Sequence, residues 1–194
     1  MSLALELKIP VDTASPALAR IEKALGDGSV ARVAGRSLRN TVRSHLFAKN
    51  TTSPNRLGGT RTNFYASAAR GVQNPSVSGN VATVSINQVG IRQRYYGGRI
   101  DAKPGKLLTI PADASAHGRR AREFSNLHAI YFRGGQSVGA LVDANDQVMF
   151  WLSRFVVQKP DPSVLPTEAA MLTEITTDVR EFIVRTQLRG GVTA

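Results

Sequence analysis

This chain of 194 residues contains no cysteine, and no stretch of it is long and apolar enough to span a membrane. The absence of cysteine excludes a disulfide framework, a thiolate zinc site and a cysteine nucleophile. A membrane-spanning helix needs about 18 consecutive apolar residues, so no contact with a membrane is expected. The N-terminal sequence MSLALELKIP lacks the basic region and the cleavage site of a signal peptide. We therefore expect a soluble, basic protein that is made inside the cell.

Acidic residues are also absent from one long stretch, and that absence determines where the charge lies. The chain has 25 Lys and Arg against 14 Asp and Glu, for a net charge of +11. From Gly28 to Ile100 there are 11 basic residues, ten of them Arg, and no acidic residue, so the whole excess lies there. Arg is suited to bidentate pairing with phosphate or carboxylate. The stretch is a nucleic-acid face, a surface for an acidic protein, or a solvated face without a specific partner.

The longest predicted helix, from Val30 to about Asn50, carries much of this charge. At about 100° per residue, its arginines fall within about 60° of one another and its apolar residues occupy the other side. The stripe consists of Arg32, Arg36, Arg39 and Arg43, and the apolar side of Val30, Val33, Ala34, Leu38 and Val42. Leu46 and Phe47 drift towards the stripe, which predicts that the helix bends, ends or meets a second partner there. The stripe lies in water or faces acidic groups on a neighbouring subunit.

The remaining patterns predict an α+β fold. Leu3 to Ile9 alternate as in a strand, and a short amphipathic helix follows, with Ser29 able to cap the next one. The runs HAIYFRG, SVGALVD and QVMFWLSRFVV are separated by turn residues, as in a meander or hairpin. We predict an antiparallel sheet with the long basic helix in the N-terminal half and a C-terminal amphipathic helix packed on the sheet. One domain is expected, comprising 1–27 (strand and short helix), 28–160 (core) and 161–194 (Pro-rich linker and final helix).

Motifs of catalysis, metal binding and cofactor binding are missing. The three histidines are far apart, and none has a metal-site spacing. Asp143, Asn145 and Asp146 fit a hairpin turn better than a calcium loop. No nucleophile elbow, Walker sequence or dinucleotide motif is present. We therefore expect no enzyme, no metal site and no cofactor.

Two glycine-containing segments hold further basic residues. Gly58 and Gly59 lie between two arginines and either cradle a phosphate or form a flexible loop. In RQRYYGGR, arginines alternate with two tyrosines, which could stack on bases; we favour a strand end with one ring buried. The candidate assembly or DNA-facing residues are Arg32, Arg36, Arg39, Arg43, Arg56, Arg61, Arg92, Arg94, Tyr95, Tyr96 and Arg99.

Three stretches together resemble a known family. They are SPNRLGGTRTNFY at 53–65, VGIRQRYYGGRI at 89–100 and KLLTIPADASAHGRRAREF at 106–124. In this order they are similar to the phage virion morphogenesis family, the tail-completion proteins of Mu-like and P2-like phages. The resemblance covers roughly residues 28 to 142.

The resemblance implies a structural virion protein at the head–tail junction. It would act there as a tail-completion, tail-terminator or neck protein and form a homo-oligomeric ring, hexameric by the resemblance. The implied partners are the tail tube protein, the head-side connector or both, with DNA passing through the channel. The protein would be made in the host cytoplasm and end in the virion. The alternative function is a sequence-independent DNA-binding factor, for which binding would fall steeply with salt.

Overall fold

The structure is a computed structural model that describes residues 14–53, 61–133 and 137–188. The chain divides into two compact units. The first is drawn from Met1–Val42, Val72–Ser85 and Thr167–Ala194, and the second from Arg43–Gly71 and Ile86–Pro166. The strand predicted near the N-terminus and the candidate Arg56 lie outside the described residues. The single domain expected from the sequence stays a prediction.

The described residues form helices and antiparallel strands that are largely grouped along the chain, and the predicted α+β class is confirmed. The helices are α1 (Ala14–Gly26), α2 (Ser29–Thr52), α3 (Phe64–Arg70), α4 (Ile91–Tyr96) and α5 (Glu168–Leu188). The strands are β1 (Ser76–Ser78), β2 (Val81–Thr83), β3 (Gly98–Asp101), β4 (Leu108–Pro111), β5 (His128–Tyr131), β6 (Ser137–Val142), β7 (Val148–Ser153) and β8 (Phe155–Gln158). Short 3-10 turns occupy Ala114–Ala116, Ala121–Glu123 and Pro162–Val164. In the described ranges, no helix could cross a bilayer.

The first unit contains α1, the N-terminal part of α2, the β1–β2 hairpin and α5. α1 packs against α5, and Arg20 donates a hydrogen bond to the carbonyl of Gln187 at 3.3 Å. α2 packs closely on the hairpin at Gly35, where an added Cβ would lie 2.7 Å from Cβ of Pro75 and 2.9 Å from Cβ of Ala82. Glycine is required at this position because the backbone of α2 nearly touches these two side chains, which leaves no room for a Cβ.

Helix α2 is confirmed, and it contributes to both units. Its buried apolar residues are Ala31, Val42 and Leu46, of which only Val42 belongs to the apolar side that periodicity predicted. The predicted second partner near Leu46 has a physical counterpart, since the helix passes from the first unit to the second after Val42. The cap differs from the prediction, because the Asp27 carboxylate accepts the backbone N–H of Ser29 at 2.8 Å.

The second unit is built on a four-stranded antiparallel sheet in the order β4-β7-β6-β5 and on a separate β3–β8 pair. The sheet confirms the predicted meander. Phe150 is 1% exposed and packs with Met149 and Ala116 in one cluster, where its ring meets that of Phe124 edge-on at 5.6 Å. Consecutive residues of a regular strand point to opposite faces. Met149 and Phe150 share a cluster because the β6–β7 register shifts beside them, as at a β-bulge.

Candidate functional site: a basic cavity in the second unit

An open cavity of about 810 Å³ lies in the second unit. Its described lining comes from the end of α2, the start of α3, α4, the turn before β5 and the chain from β8 onwards. The lining residues are Lys49, Asn50, Ser53, Arg61, Thr62, Asn63, Phe64, Tyr65, Arg94, His117, Val156, Val157, Gln158, Lys159 and Asp161. Four permanent cations and one carboxylate are among them. The cavity is therefore basic, with aromatic and aliphatic walls.

Asn50 ties the end of α2 to the chain that leads into α3. Its side-chain oxygen accepts the backbone N–H of Ala66 at 3.1 Å, and its amide nitrogen donates to the side chain of Asn63 at 3.2 Å. The backbone carbonyl of Asn50 accepts from the guanidinium of Arg61 at 3.3 Å. The side chain of Asn50 thus fixes the start of α3, and its backbone carbonyl holds one cation of the cavity wall.

Arg94 is held in the wall by aromatic rings. The centre of its guanidinium group lies 4.2 Å from the centroid of the Phe64 ring and 5.5 Å from that of Tyr65. The two rings meet edge-on at 5.3 Å. Stacking on an aromatic face positions a guanidinium group without occupying its N–H donors. The donors of Arg94 consequently remain available to an anion.

A turn after β8 is held against α2 on the same wall. Nζ of Lys49 donates to the Ser163 hydroxyl at 2.6 Å and lies 3.5 Å from the Asp161 carboxylate. The Ser163 carbonyl lies 2.9 Å from Nε2 of His45, and the Ser163 hydroxyl and backbone N–H both donate to Asp161. The hydrogen bond from the Ser163 hydroxyl is the main cause that lowers the pKa of Asp161, partial burial opposes it, and the Lys49 charge adds to the lowering.

The lowered pKa of Asp161 predicts a pH-dependent contribution to stability. A carboxyl whose pKa is depressed in the folded state stabilises that state above the unfolded pKa, and the contribution is lost as the pH falls through the folded pKa. Its side chain is 43% exposed, so we expect Asp161→Asn to reduce the free energy of unfolding at pH 7 by only about 0.5 kcal/mol. Urea unfolding at pH 7 and at a series of lower pH values measures this, and the wild-type and variant curves should approach each other as the pH falls below the ordinary aspartate pKa of about 3.9.

A suitable control is Asp146→Asn. Asp146 is 85% exposed and lies 3.6 Å from His128, which is 54% exposed. An ion pair this open to water contributes little. If the two variants behave alike at pH 7, the Asp161 contacts do not contribute in the way described.

The structure brings two of the predicted site residues, Arg61 and Arg94, to this cavity. Arg92 and Tyr96 instead line a smaller neighbouring cavity of about 530 Å³. Arg99 lies 2.7 Å from Asp101 and stacks on the Phe155 ring at 3.9 Å. The expectation of a strand end with one buried ring is wrong for the tyrosine pair, because Tyr95 and Tyr96 end helix α4, with Tyr95 half-buried and Tyr96 69% exposed.

The predicted arginine stripe on α2 is not uniformly exposed. Arg32 and Arg36 are exposed, whereas Arg39 and Arg43 are half-buried. Arg32 also donates to the Ser29 hydroxyl at 2.8 Å. Arg32 also lies 3.8 Å from the Asp27 carboxylate, so the stripe is not a uniform face of four exposed arginines.

Sequence reasoning did not place Lys49, Asn50, Lys159 or Asp161 at a site. Lys49 is one of the 11 basic residues in the acid-free stretch from Gly28 to Ile100, so composition alone marked it as part of the basic region. Lys159 and Asp161 lie in the Pro-rich segment, and only the fold brings this segment beside α2. Their position in the cavity wall could not be predicted from the spacing of residues along the sequence.

The chemistry that the cavity offers is the binding of anionic groups. Among residues 14–53, 61–133 and 137–188, no group of three or more His, Asp or Glu side chains could hold a metal ion. Donors of Arg and Lys are the groups that bind carboxylate or phosphate. Aromatic and valine walls suit a ligand that also carries apolar groups.

No protein-family model, no curated protein and no solved structure matches this chain. The resemblance of the three sequence stretches to a phage family accordingly stays a prediction.

Proposed function

We propose that this chain is a non-enzymatic structural protein of a tailed-phage virion, acting at the head–tail junction. In this role it completes or terminates the tail, or forms part of the neck, and joins the tail tube protein or the head-side connector. Its place is then in the finished particle.

The observation that carries this proposal is the convergence of the three resembling stretches. They lie at 53–65, 89–100 and 106–124, and all three belong to the second unit. Each of them lines the same cavity, the first with residues such as Arg61 and Phe64, the second with Arg94 and the third with His117. Segments that are separated along the chain thus meet at one concave pocket, the kind of place where binding sites occur.

Assembly into a ring is supported by an exposed apolar edge of the main sheet. β5 is an edge strand, and all four of its residues are exposed. Tyr131 is 70% exposed and Phe132 44% exposed, and the Phe132 ring lies 6.3 Å from that of Trp151. An apolar edge strand favours pairing with another chain. In a ring this edge meets a different patch on the next subunit.

Replacing Tyr131 by aspartate tests the ring. A charge on the exposed edge would have to be buried without a partner at the subunit contact, which is unfavourable. We expect the wild-type protein to form a closed oligomer and Tyr131→Asp to be monomeric when the mass is measured by light scattering coupled to gel filtration. Leu172→Asp on helix α5, at a position 54% exposed and outside the sheet, is the control and should leave the oligomer intact.

Two outcomes would count against the ring. One is a wild-type protein that stays monomeric at all concentrations. The other is a Tyr131→Asp variant with the same mass as the wild type.

Duplex DNA added to the same column distinguishes the alternative function, because a sequence-independent DNA-binding factor would elute with the DNA at low salt and release it as salt rises.

A further inference from the structure

We infer that the basic cavity is a docking site for an acidic, extended segment of a partner polypeptide. The identity of that partner as a virion protein rests on the proposed function, whereas the binding itself does not. The ligand is defined by the wall chemistry: carboxylates spaced along a chain that also carries aliphatic side chains.

Some of the cations that line the cavity can still bind an anion after their contacts within the chain are counted. Lys49 is engaged by Asp161 and Ser163. Arg61 donates to one backbone carbonyl, and Arg94 is held by stacking. Arg61, Arg94 and Lys159 form no ion pair with a carboxylate within the described part of the chain. Since a guanidinium group has five N–H donors, both arginines retain donors for an incoming carboxylate.

The apolar part of the wall indicates a chain rather than a lone anion. Val156 and Val157 of β8 line the cavity together with Phe64 and Tyr65. Val157 is 62% exposed, so its side chain is available to a ligand. A volume of about 810 Å³ is sufficient for several side chains, within the usual range of about 300 to 1,000 Å³ for binding pockets.

The position of the cations favours a polypeptide over duplex DNA. The side chain of Lys49 is only 15% exposed, and Arg94 is half-buried with the centre of its guanidinium group 4.2 Å from the Phe64 ring centroid. Arginines that contact a DNA duplex reach outward to its phosphates or into its grooves. Arg61 and Lys159 are exposed, but a concave site in which Lys49 and Arg94 are recessed suits a flexible carboxylate side chain better than a rigid duplex.

Fluorescence anisotropy with a labelled peptide tests the inference. The probe is a ten-residue peptide in which Glu alternates with Val, and its control is the same peptide with Gln in place of Glu. We expect saturable binding of the Glu peptide to the full chain and at least about tenfold weaker binding of the Gln peptide. We also expect unlabelled duplex DNA not to displace the labelled Glu peptide.

Paired variants locate the binding in the cavity. Arg61→Gln combined with Arg94→Gln should weaken Glu-peptide binding by about 30-fold or more. Arg92→Gln is the matched control, because Arg92 is exposed on the same helix as Arg94 and lies outside this cavity, and its affinity should stay within about twofold of wild type. Lys159→Gln, at an exposed position, provides a second test that leaves the stacked Arg94 in place and should weaken binding severalfold.

The inference is overturned if the Gln peptide binds as tightly as the Glu peptide, if the double variant and Lys159→Gln both bind like wild type, or if duplex DNA displaces the peptide. These results would leave the ring and the proposed virion role standing, since those are measured by mass and by particle assembly. Conversely, a monomeric chain that still binds the Glu peptide would contradict the ring and keep the docking site.

Discussion

Gly97→Ala is expected to destabilise the second unit by about 4 kcal/mol or more. Gly97 has φ 68° and ψ −158°, a region that is essentially restricted to glycine. An added Cβ would lie 2.6 Å from the Gln158 carbonyl oxygen and 2.6 Å from the Pro160 nitrogen, both of them backbone atoms. Since backbone cannot rotate away as a side chain can, the β3–β8 pair and the adjoining cavity wall must shift. The expected fall in melting temperature is about 10 °C, measured by circular dichroism.

Gly105→Ala separates the cost of the positive φ from the cost of the steric clash at the added Cβ. Gly105 also has a positive φ, of 72°, but an added Cβ there meets nothing within 4 Å. Its cost should therefore be the conformational one alone, about 1 kcal/mol. Equal melting temperatures for the two variants would contradict the close packing of Gly97 against the chain after β8.

Phe150→Ala is the other substitution with a large expected effect. Phe150 is 1% exposed, and its ring packs against Phe124 at 5.6 Å in the cluster that includes Met149 and Ala116. Truncation removes that contact and leaves a cavity in the core. We expect a loss of about 3 to 5 kcal/mol in the free energy of unfolding, measured by urea titration.

Phe47→Ala is the matched control for this substitution. Phe47 belongs to the same unit and is 39% exposed, so its removal leaves little or no cavity and should cost only about 1 kcal/mol. If Phe150→Ala lowers the free energy of unfolding no more than Phe47→Ala does, Phe150 of β7 is not a central core residue of this unit.

Periodicity predicted the regular elements of the fold well. The apolar and charged pattern of α2 predicted a helix from Val30 to about Asn50, and the structure has Ser29–Thr52. The predicted C-terminal helix is also present, at Glu168–Leu188. Such elements are predictable because local spacing alone decides which side of the helix or strand is apolar.

Features decided by contacts between distant residues were not predictable. The tyrosine pair was expected at a strand end, but a six-residue helix forms there between Gly90 and Gly97. Met149 joins Phe150 in the core because of a register shift in strand pairing. A bulge of this kind has no signature in the alternation of apolar residues.

The candidate site was predictable only in part, for the same reason. Its arginines belong to the acid-free stretch, and the resemblance pointed to the segments that hold Arg61 and Arg94. The contact between Lys49 and Ser163 joins residues 114 positions apart, which no local pattern reveals. Composition therefore identified the basic residues, but not the contacts that hold them in the wall of the cavity.

The most direct test of the proposed function is electron microscopy of particles produced by a phage that encodes this chain with an early stop codon in its gene. The proposed role predicts heads and tails that remain unjoined, with joined particles restored when the wild-type chain is supplied in trans. Complete, infectious tailed particles assembled without the chain would contradict it.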